Sequence, residues 1–178
     1  MTKPTLLLMS GSLREASYNK MLLREAAAAY GDANVIEADL DLPLYDGDVE
    51  DRGIPEKVTT LIEQVRGADA LVIGAPEYNK GISGVLKNAL DWLSRVKPWP
   101  TQDKPAVVMS AAGGRSGGET AHFMTLSILT QLQVNVVHGP LILIAAAQNE
   151  FDENGALTND FLKGQVADRM ARLRGMIG

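Results

Sequence analysis

The sequence predicts an α/β protein: a doubly wound, five-stranded parallel sheet in the order 2-1-3-4-5, with helices on both faces. Three observations carry this. Five apolar runs alternate with segments of helical periodicity along the chain, which is the pattern of β-α units whose crossovers lay helices over a parallel sheet. The runs Leu6–Met9, Ala70–Ala75 and Ala106–Met109 are continuously apolar rather than alternating, as strands covered on both faces must be. Right-handed crossovers then leave a doubly wound order as the economical topology, and five strands favour 2-1-3-4-5 over the six-stranded dinucleotide arrangement.

Each element has its own signal. After the first strand, Tyr18, Met21, Leu22, Ala26 and Ala29 recur at three and four residues and predict a helix. Asn34 to Ala38 reads as the second strand, followed by an extended Pro43-Leu44-Tyr45 connection. Ile54, Val58, Leu61, Ile62 and Val65 mark a second helix closed near Gly67. The third strand breaks at Pro76. A third helix runs from Ile82 through Val85, Leu86, Ala89, Leu90 and Leu93 to Val96, and Pro98 and Pro100 stop it. The fourth strand ends in the glycine-rich stretch from Gly113 to Gly118, and a fourth helix spans about residues 119–132. The fifth strand lies within Val134 to Ile144, bent at Gly139 and Pro140. Leu162, Val166, Met170 and Leu173 define the last helix.

The 178 residues predict a single domain over residues 1–178, since domains average roughly 150 residues. A net charge of −5 gives extended nucleic-acid binding a poor start, because an acidic surface repels phosphate backbones. The absence of cysteine excludes disulfides, thiolate metal sites, dithiol redox pairs and cysteine nucleophiles. Two histidines, His122 and His138, make a multi-histidine metal site improbable and read as structural. Any redox chemistry must therefore come from a bound organic cofactor. No segment has the roughly 18 apolar residues needed to cross a bilayer, and Leu6 to Met9 is too short for a signal-peptide core, so the expected compartment is the cytoplasm.

In doubly wound sheets ligands bind beyond the carboxyl ends of the strands, where the winding reverses. That singles out three loops. The first, Ser10 to Asn19, joins a buried strand to a helix, so free backbone N–H groups and the helix dipole converge there. Ser12, Ser17 and Asn19 add neutral donors and Arg14 a guanidinium, which together suggest a phosphate site; a plain Ser/Asn helix cap is the bland alternative. No Gly-Lys-Ser/Thr tripeptide occurs, and Leu13 stands where a dinucleotide fingerprint needs its second glycine. The second loop, Pro76-Glu77-Tyr78-Asn79-Lys80-Gly81, sets an aromatic beside hydrogen-bonding groups and could hold a flat heterocycle. The third, Ser110-Ala111-Ala112-Gly113-Gly114 and onward to Gly118, has little side-chain bulk and admits close approach of a planar ring.

These segments carry a resemblance. Gly11-Ser12-Leu13-Arg14 with Ser17 and Asn19, Leu42-Pro43-Leu44-Tyr45, Pro76-Glu77-Tyr78-Asn79 and Gly84-Val85-Leu86-Lys87-Asn88-Ala89-Leu90-Asp91-Trp92 resemble, in order and spacing, the NADPH-dependent FMN reductase family of flavodoxin-like quinone, chromate and ferric reductases. The resemblance implies FMN as cofactor and NADH or NADPH as donor. The phosphate would lie at Ser12, Arg14, Ser17 and Asn19, with Gly11 and Tyr18 also at the cofactor, and the ring against Pro76, Glu77, Tyr78, Asn79, Ser110, Ala111, Gly113 and Gly114. It also implies ping-pong hydride transfer through flavin N5 to small-molecule acceptors, with no side chain cast as catalytic. Many relatives carry a proline where Ser83 stands and a smaller residue where Lys80 stands.

The fourth helix is apolar nearly all round (Phe123, Met124, Leu126, Ile128, Leu129, Leu132), and a sheet-flanking helix has one face to give its own core. A homodimer through this helix is the expectation, and the resemblance adds dimers or tetramers. Arg95 is a solvated helix-terminal arginine or, alternatively, a group that holds an anionic donor or substrate. Glu50-Asp51-Arg52 reads as a solvated turn. Two other functions stay open on the residues alone: an electron carrier without its own turnover, and a regulatory protein on the same fold.

Overall fold

Strand β1 (Thr5–Ser10) lies inside the sheet because both of its faces are apolar: Leu6, Leu7, Leu8 and Met9 are at most 2% exposed. The computed structural model describes residues 3–177. Chain order continues with α1 (Tyr18–Tyr30), β2 (Asn34–Glu37), a short α2 (Gly47–Asp51), α3 (Glu56–Gly67), β3 (Ala70–Gly74), β4 (Glu77–Tyr78), β5 (Gly81–Ile82) and α4 (Gly84–Leu93). Then come β6 (Pro105–Ala111), α5 (Glu119–Gln131), β7 (Asn135–Val136), β8 (Leu143–Ile144) and α6 (Asp160–Ile177). The main sheet has the order β2-β1-β3-β6-β7, every pair parallel, with β8 also pairing β6. This is the predicted 2-1-3-4-5 winding. Among the described residues no helix is long and apolar enough to cross a membrane.

Alternation along each strand divides the core in two. Leu6 and Leu8 of β1, Val72 of β3 and Val107 and Met109 of β6 face α1 and α6, meeting Leu22, Leu23, Val166 and Met170. Leu7, Met9, Leu71, Ile73 and Val108 face the other way, toward α3, α4 and α5. A sheet covered on both sides needs apolar side chains at every strand position, which is why these strands show no polar alternation.

Four local features differ from the sequence reading. Pro76 to Gly81 is not an open loop: β4 and β5 pair antiparallel around Asn79 and Lys80, both at positive φ, the backbone of a tight primed turn. Ile82, expected on the third helix, therefore ends β5. Ser83 caps α4, its Oγ accepting the Leu86 N–H at 3.2 Å, which fixes the entry of the helix. The fifth strand is split, with residues 138–141 bulging off the sheet between β7 and β8, while Val137 N–H still donates to Ala106 O and Ile142 O still accepts the Ser110 N–H.

The fourth difference concerns residues 42–52. Glu50 and Asp51 belong to α2 rather than to a solvated turn, and Glu50 accepts from Tyr45 Oη at 2.9 Å and pairs with Arg95 Nε at 2.9 Å. Arg95 also lies over the Tyr45 ring, 5.2 Å from its centroid. The extended segment is fastened to α4: Asn88 Oδ1 accepts the Tyr45 N–H at 2.8 Å, and the Pro43 carbonyl accepts from Asn88 Nδ2 at 3.0 Å and Trp92 Nε1 at 2.8 Å. Two of the conspicuous motifs, Leu42–Tyr45 and Gly84–Trp92, are thus partners of each other.

Helix α5 turns Ala121, His122, Thr125 and Leu129 inward and leaves Phe123 and Met124 about half exposed. His122 is enclosed, and burial, with the Arg169 charge as a second cause, lowers its pKa from 6.5 to about 4. Between those two values the unfolded chain binds the extra proton, so the contribution of neutral His122 is complete above about pH 6.5 and is lost as pH falls toward 4. Stability is expected to drop by about 2 kcal/mol between pH 7 and pH 5 from this group. Urea unfolding at the two pH values checks it, and His122→Leu should flatten the dependence in that window.

Candidate active site

The carboxyl ends of β1, β3 and β6 deliver the three loops to one rim, where Ser12, Arg14, Ser17, Tyr18, Asn19, Pro76, Glu77, Tyr78, Ala111, Ala112 and Gly113 line a cleft of 200 Å³. Gly11 sits beneath it. A Cβ there would meet Ser83 Oγ at 2.7 Å and Pro76 Cδ at 2.8 Å, so only glycine lets the first loop pass so close to the second. Its N–H continues the sheet by donating to Gly74 O at 2.9 Å.

From Leu13 to Asn19 no backbone N–H donates to a protein acceptor among the described residues. Ser12 N–H is taken by Ser10 Oγ at 3.3 Å and Lys20 N–H by the N-cap Ser17 Oγ at 3.4 Å. This is a run of free donors at the positive end of α1, the arrangement that binds oxyanions. Arg14 stands exposed beside it and pairs with no carboxylate among the described residues. Ser17 is a helix cap, as the bland reading had it, yet its hydroxyl proton is still free to donate. Asn19 does more than offer a donor. Its carboxamide clamps the first loop to the third, Nδ2 donating to Ala111 O at 2.8 Å and Oδ1 accepting Ala111 N–H at 3.1 Å, which leaves one amide hydrogen for the cleft.

Glu77 holds the hairpin. Its carboxylate accepts the Thr120 and Ala121 N–H groups at 2.9 and 3.3 Å and pairs with Lys80 at 3.0 Å. It thereby caps α5, whose own N-cap, Gly118, has no side chain. The Lys80 bond first, with help from the two helix N–H groups, keeps the Glu77 carboxyl below its ordinary pKa against the opposing effect of burial. Lys80 is thus the charge partner of Glu77. Tyr78 stands half exposed at the mouth of the cleft.

In the third loop the glycines divide into two groups. Gly113 lines the cleft, and the N–H groups of Gly113 and Gly114 have no protein acceptor among the described residues. Gly117 and Gly118, both at positive φ, serve packing instead: a Cβ at Gly118 would lie 2.0 Å from Ser110 Oγ. Ser110 is fully buried and donates its hydroxyl to Ala75 O at 2.7 Å. Ser110 supports the cleft from below, and Asn79 and Gly114 lie outside its lining. Arg95 is likewise outside it, engaged with Glu50. The sequence reading missed the roles of Glu77 as a helix cap and of Asn19 as an inter-loop clamp.

A free-donor turn at the end of β1, a tyrosine and a proline on one side, and a low, unencumbered backbone edge on the other suit a phosphorylated ligand with a planar ring. Sheet order and site together define a flavodoxin-like mononucleotide-binding protein.

The chain belongs to the NADPH-dependent FMN reductase family, which it matches over residues 4–149, and members of this family are FMN-dependent oxidoreductases that draw on NAD(P)H. It is 40% identical over 168 residues to an NAD(P)H-dependent FMN reductase of Pseudomonas aeruginosa, covering 93% of this chain and 91% of that one. It is 38% identical over 165 residues to the quinone reductase of Escherichia coli K12, covering 88% of each. Among solved structures it is similar to FerB, a flavoenzyme NAD(P)H:(acceptor) oxidoreductase from Paracoccus denitrificans. The TM-score is 0.85 at 27% identity, covering 97% of this chain and 98% of that one.

Proposed function

We propose that this chain uses FMN held in the three-loop cleft to pass electrons from NADH or NADPH to quinones, in alternating half-reactions, with chromate and ferric complexes as further acceptors at the same face. The observation that carries this reading is the run of unpaired N–H groups from Leu13 to Asn19 opening onto a cleft walled by Tyr78 and Gly113. When bound, FMN supplies the two-electron chemistry, taking hydride at N5 and returning it to an oxidant. The protein's share is to hold and orient. Ser12, Ser17, Arg14 and the free N–H groups of the first loop take the phosphate. Pro76 and Tyr78 bound the ring, and the Gly113 N–H group on the cleft lining is a donor available for negative charge that develops at the ring edge. Donor and acceptor would both reach the ring through this same cleft, which makes them take turns. The cytoplasm, where NAD(P)H is supplied, is the proposed compartment.

Anaerobic addition of NADPH or NADH to the FMN-loaded protein tests this. The yellow band should bleach without a partner protein and return on adding a quinone, and initial rates should give parallel double-reciprocal lines. A bound flavin that neither donor bleaches would make the protein an electron carrier, and indifference to FMN would make it a scaffold.

Arg14→Ala removes a charge-assisted contact worth about 1.5–3 kcal/mol. FMN should then bind about 10- to 150-fold more weakly by fluorescence titration. Unchanged affinity would take Arg14 out of the site.

Phe123 and Met124 on α5 and Tyr78 on the adjoining hairpin are 51%, 41% and 52% exposed. We infer that they form the contact face of a homodimer, the basic unit of any larger assembly. Light scattering at micromolar protein should give twice the chain mass and should give a monomer for Phe123→Glu. A monomeric wild type would end this assignment.

A further inference from the structure

A second cavity opens where the fifth strand breaks, and it shares no lining residue with the three-loop cleft. It measures 390 Å³ against 200 Å³, within the range of small-molecule sites. Its walls set apolar side chains, Val108 from β6, Leu126 from α5, and Val134 and Leu141 from the split strand, beside the polar Thr130, Asn135 and His138. Two buried polar side chains stand among them. Arg169 of α6, 5% exposed, donates to the carbonyls of Val137 and Pro140. Those two bonds hold the bulge, but no carboxylate among the described residues pairs with the charge, and the adjacent Asp168 is engaged with Arg172 at 3.0 Å. His122, 2% exposed, has an enclosed Nδ1 without any hydrogen-bond partner.

A buried guanidinium without a counter-ion and a buried ring nitrogen without a partner are each unfavourable alone. A carboxylate against the guanidinium relieves the first of these. We propose that this cavity binds a small monocarboxylate with an apolar body. The charge follows from the lining: one guanidinium and no lysine answer a single negative charge. The apolar body follows from the valine and leucine walls, which disfavour a heavily hydrated phosphate. A planar carboxylate also matches the fork of arginine donors that the two carbonyls do not use. His122 would supply the remaining polar contact.

Sodium benzoate is the probe, read by NMR of the Arg169 side-chain N–H and the His122 ring in the FMN-loaded protein. Saturable shifts at both residues are expected, with benzamide, the neutral isostere, at least tenfold weaker and inorganic phosphate without effect. Arg169→Lys keeps the charge but loses the fork and should weaken benzoate at least tenfold, and His122→Leu should also weaken it. Should either variant fail to fold, the comparison of benzoate with benzamide on the wild type decides. Equal binding of the two would reduce the feature to an apolar hole. Binding of phosphate there would make it a general anion site. Absence of any benzoate shift, including through coverage of the cavity by a second copy, would overturn the proposal.

Discussion

Gly118→Ala is expected to destabilise the protein by about 2–5 kcal/mol, because a left-handed alanine costs about 1–2 kcal/mol and overpacking about 1–3. The new Cβ would stand 2.0 Å from Ser110 Oγ at a backbone φ of +89°. The hydroxyl must move, and with it goes the bond to Ala75 O that ties the end of β6 to the end of β3. Loss of that tie loosens Pro76 and Glu77, so weaker FMN binding should accompany the lower stability. The double variant Ser110→Ala with Gly118→Ala removes the hydroxyl that is struck and should recover part of the lost stability in urea unfolding. A single variant as stable as wild type would show that the entry to α5 is less closely packed than described.

Trp92→Ala should cost about 3–5 kcal/mol, the range for emptying a buried aromatic site. Trp92 is fully buried, meets the Tyr45 ring edge-on at a centroid distance of 5.1 Å, and donates from Nε1 to the Pro43 carbonyl. The variant loses apolar burial and leaves the segment from Leu42 to Tyr45 held by Asn88. Trp92→Phe keeps most of the volume but not the donor, so it should lie between alanine and wild type. Thermal unfolding orders the three, and an alanine variant within 1 °C of wild type would contradict the packing.

The sheet was readable because its strands are covered on both faces: Leu6 to Met9 and Ala70 to Ala75 run without polar alternation. The break in the fifth strand was only half readable. Gly139 and Pro140 mark a bend, but Val137, Leu141 and Ile142 look like strand, and what holds the bulge is Arg169, about thirty residues further along. The same limit hid the clamp of Asn19 on Ala111 and the cap of Glu77 on α5, which span 92 and 43 residues. A turn's own residues reveal free donors and small side chains; they do not reveal which distant backbone groups will consume them. The glycine-rich third loop shows the converse, since Gly113 and Gly118 look alike in sequence while one lines the cleft and the other admits Ser110. The two histidines, unremarkable at separate places in the chain, line one cavity.

Crystallographic density from the protein soaked with FMN decides whether the three loops form one mononucleotide site. The phosphate should sit against the N–H groups of residues 13–19 with Arg14 turned toward it, and the ring should lie between Pro76–Tyr78 and Gly113. Density for the cofactor at any other place, or a phosphate with residues 13–19 facing away, would contradict the account.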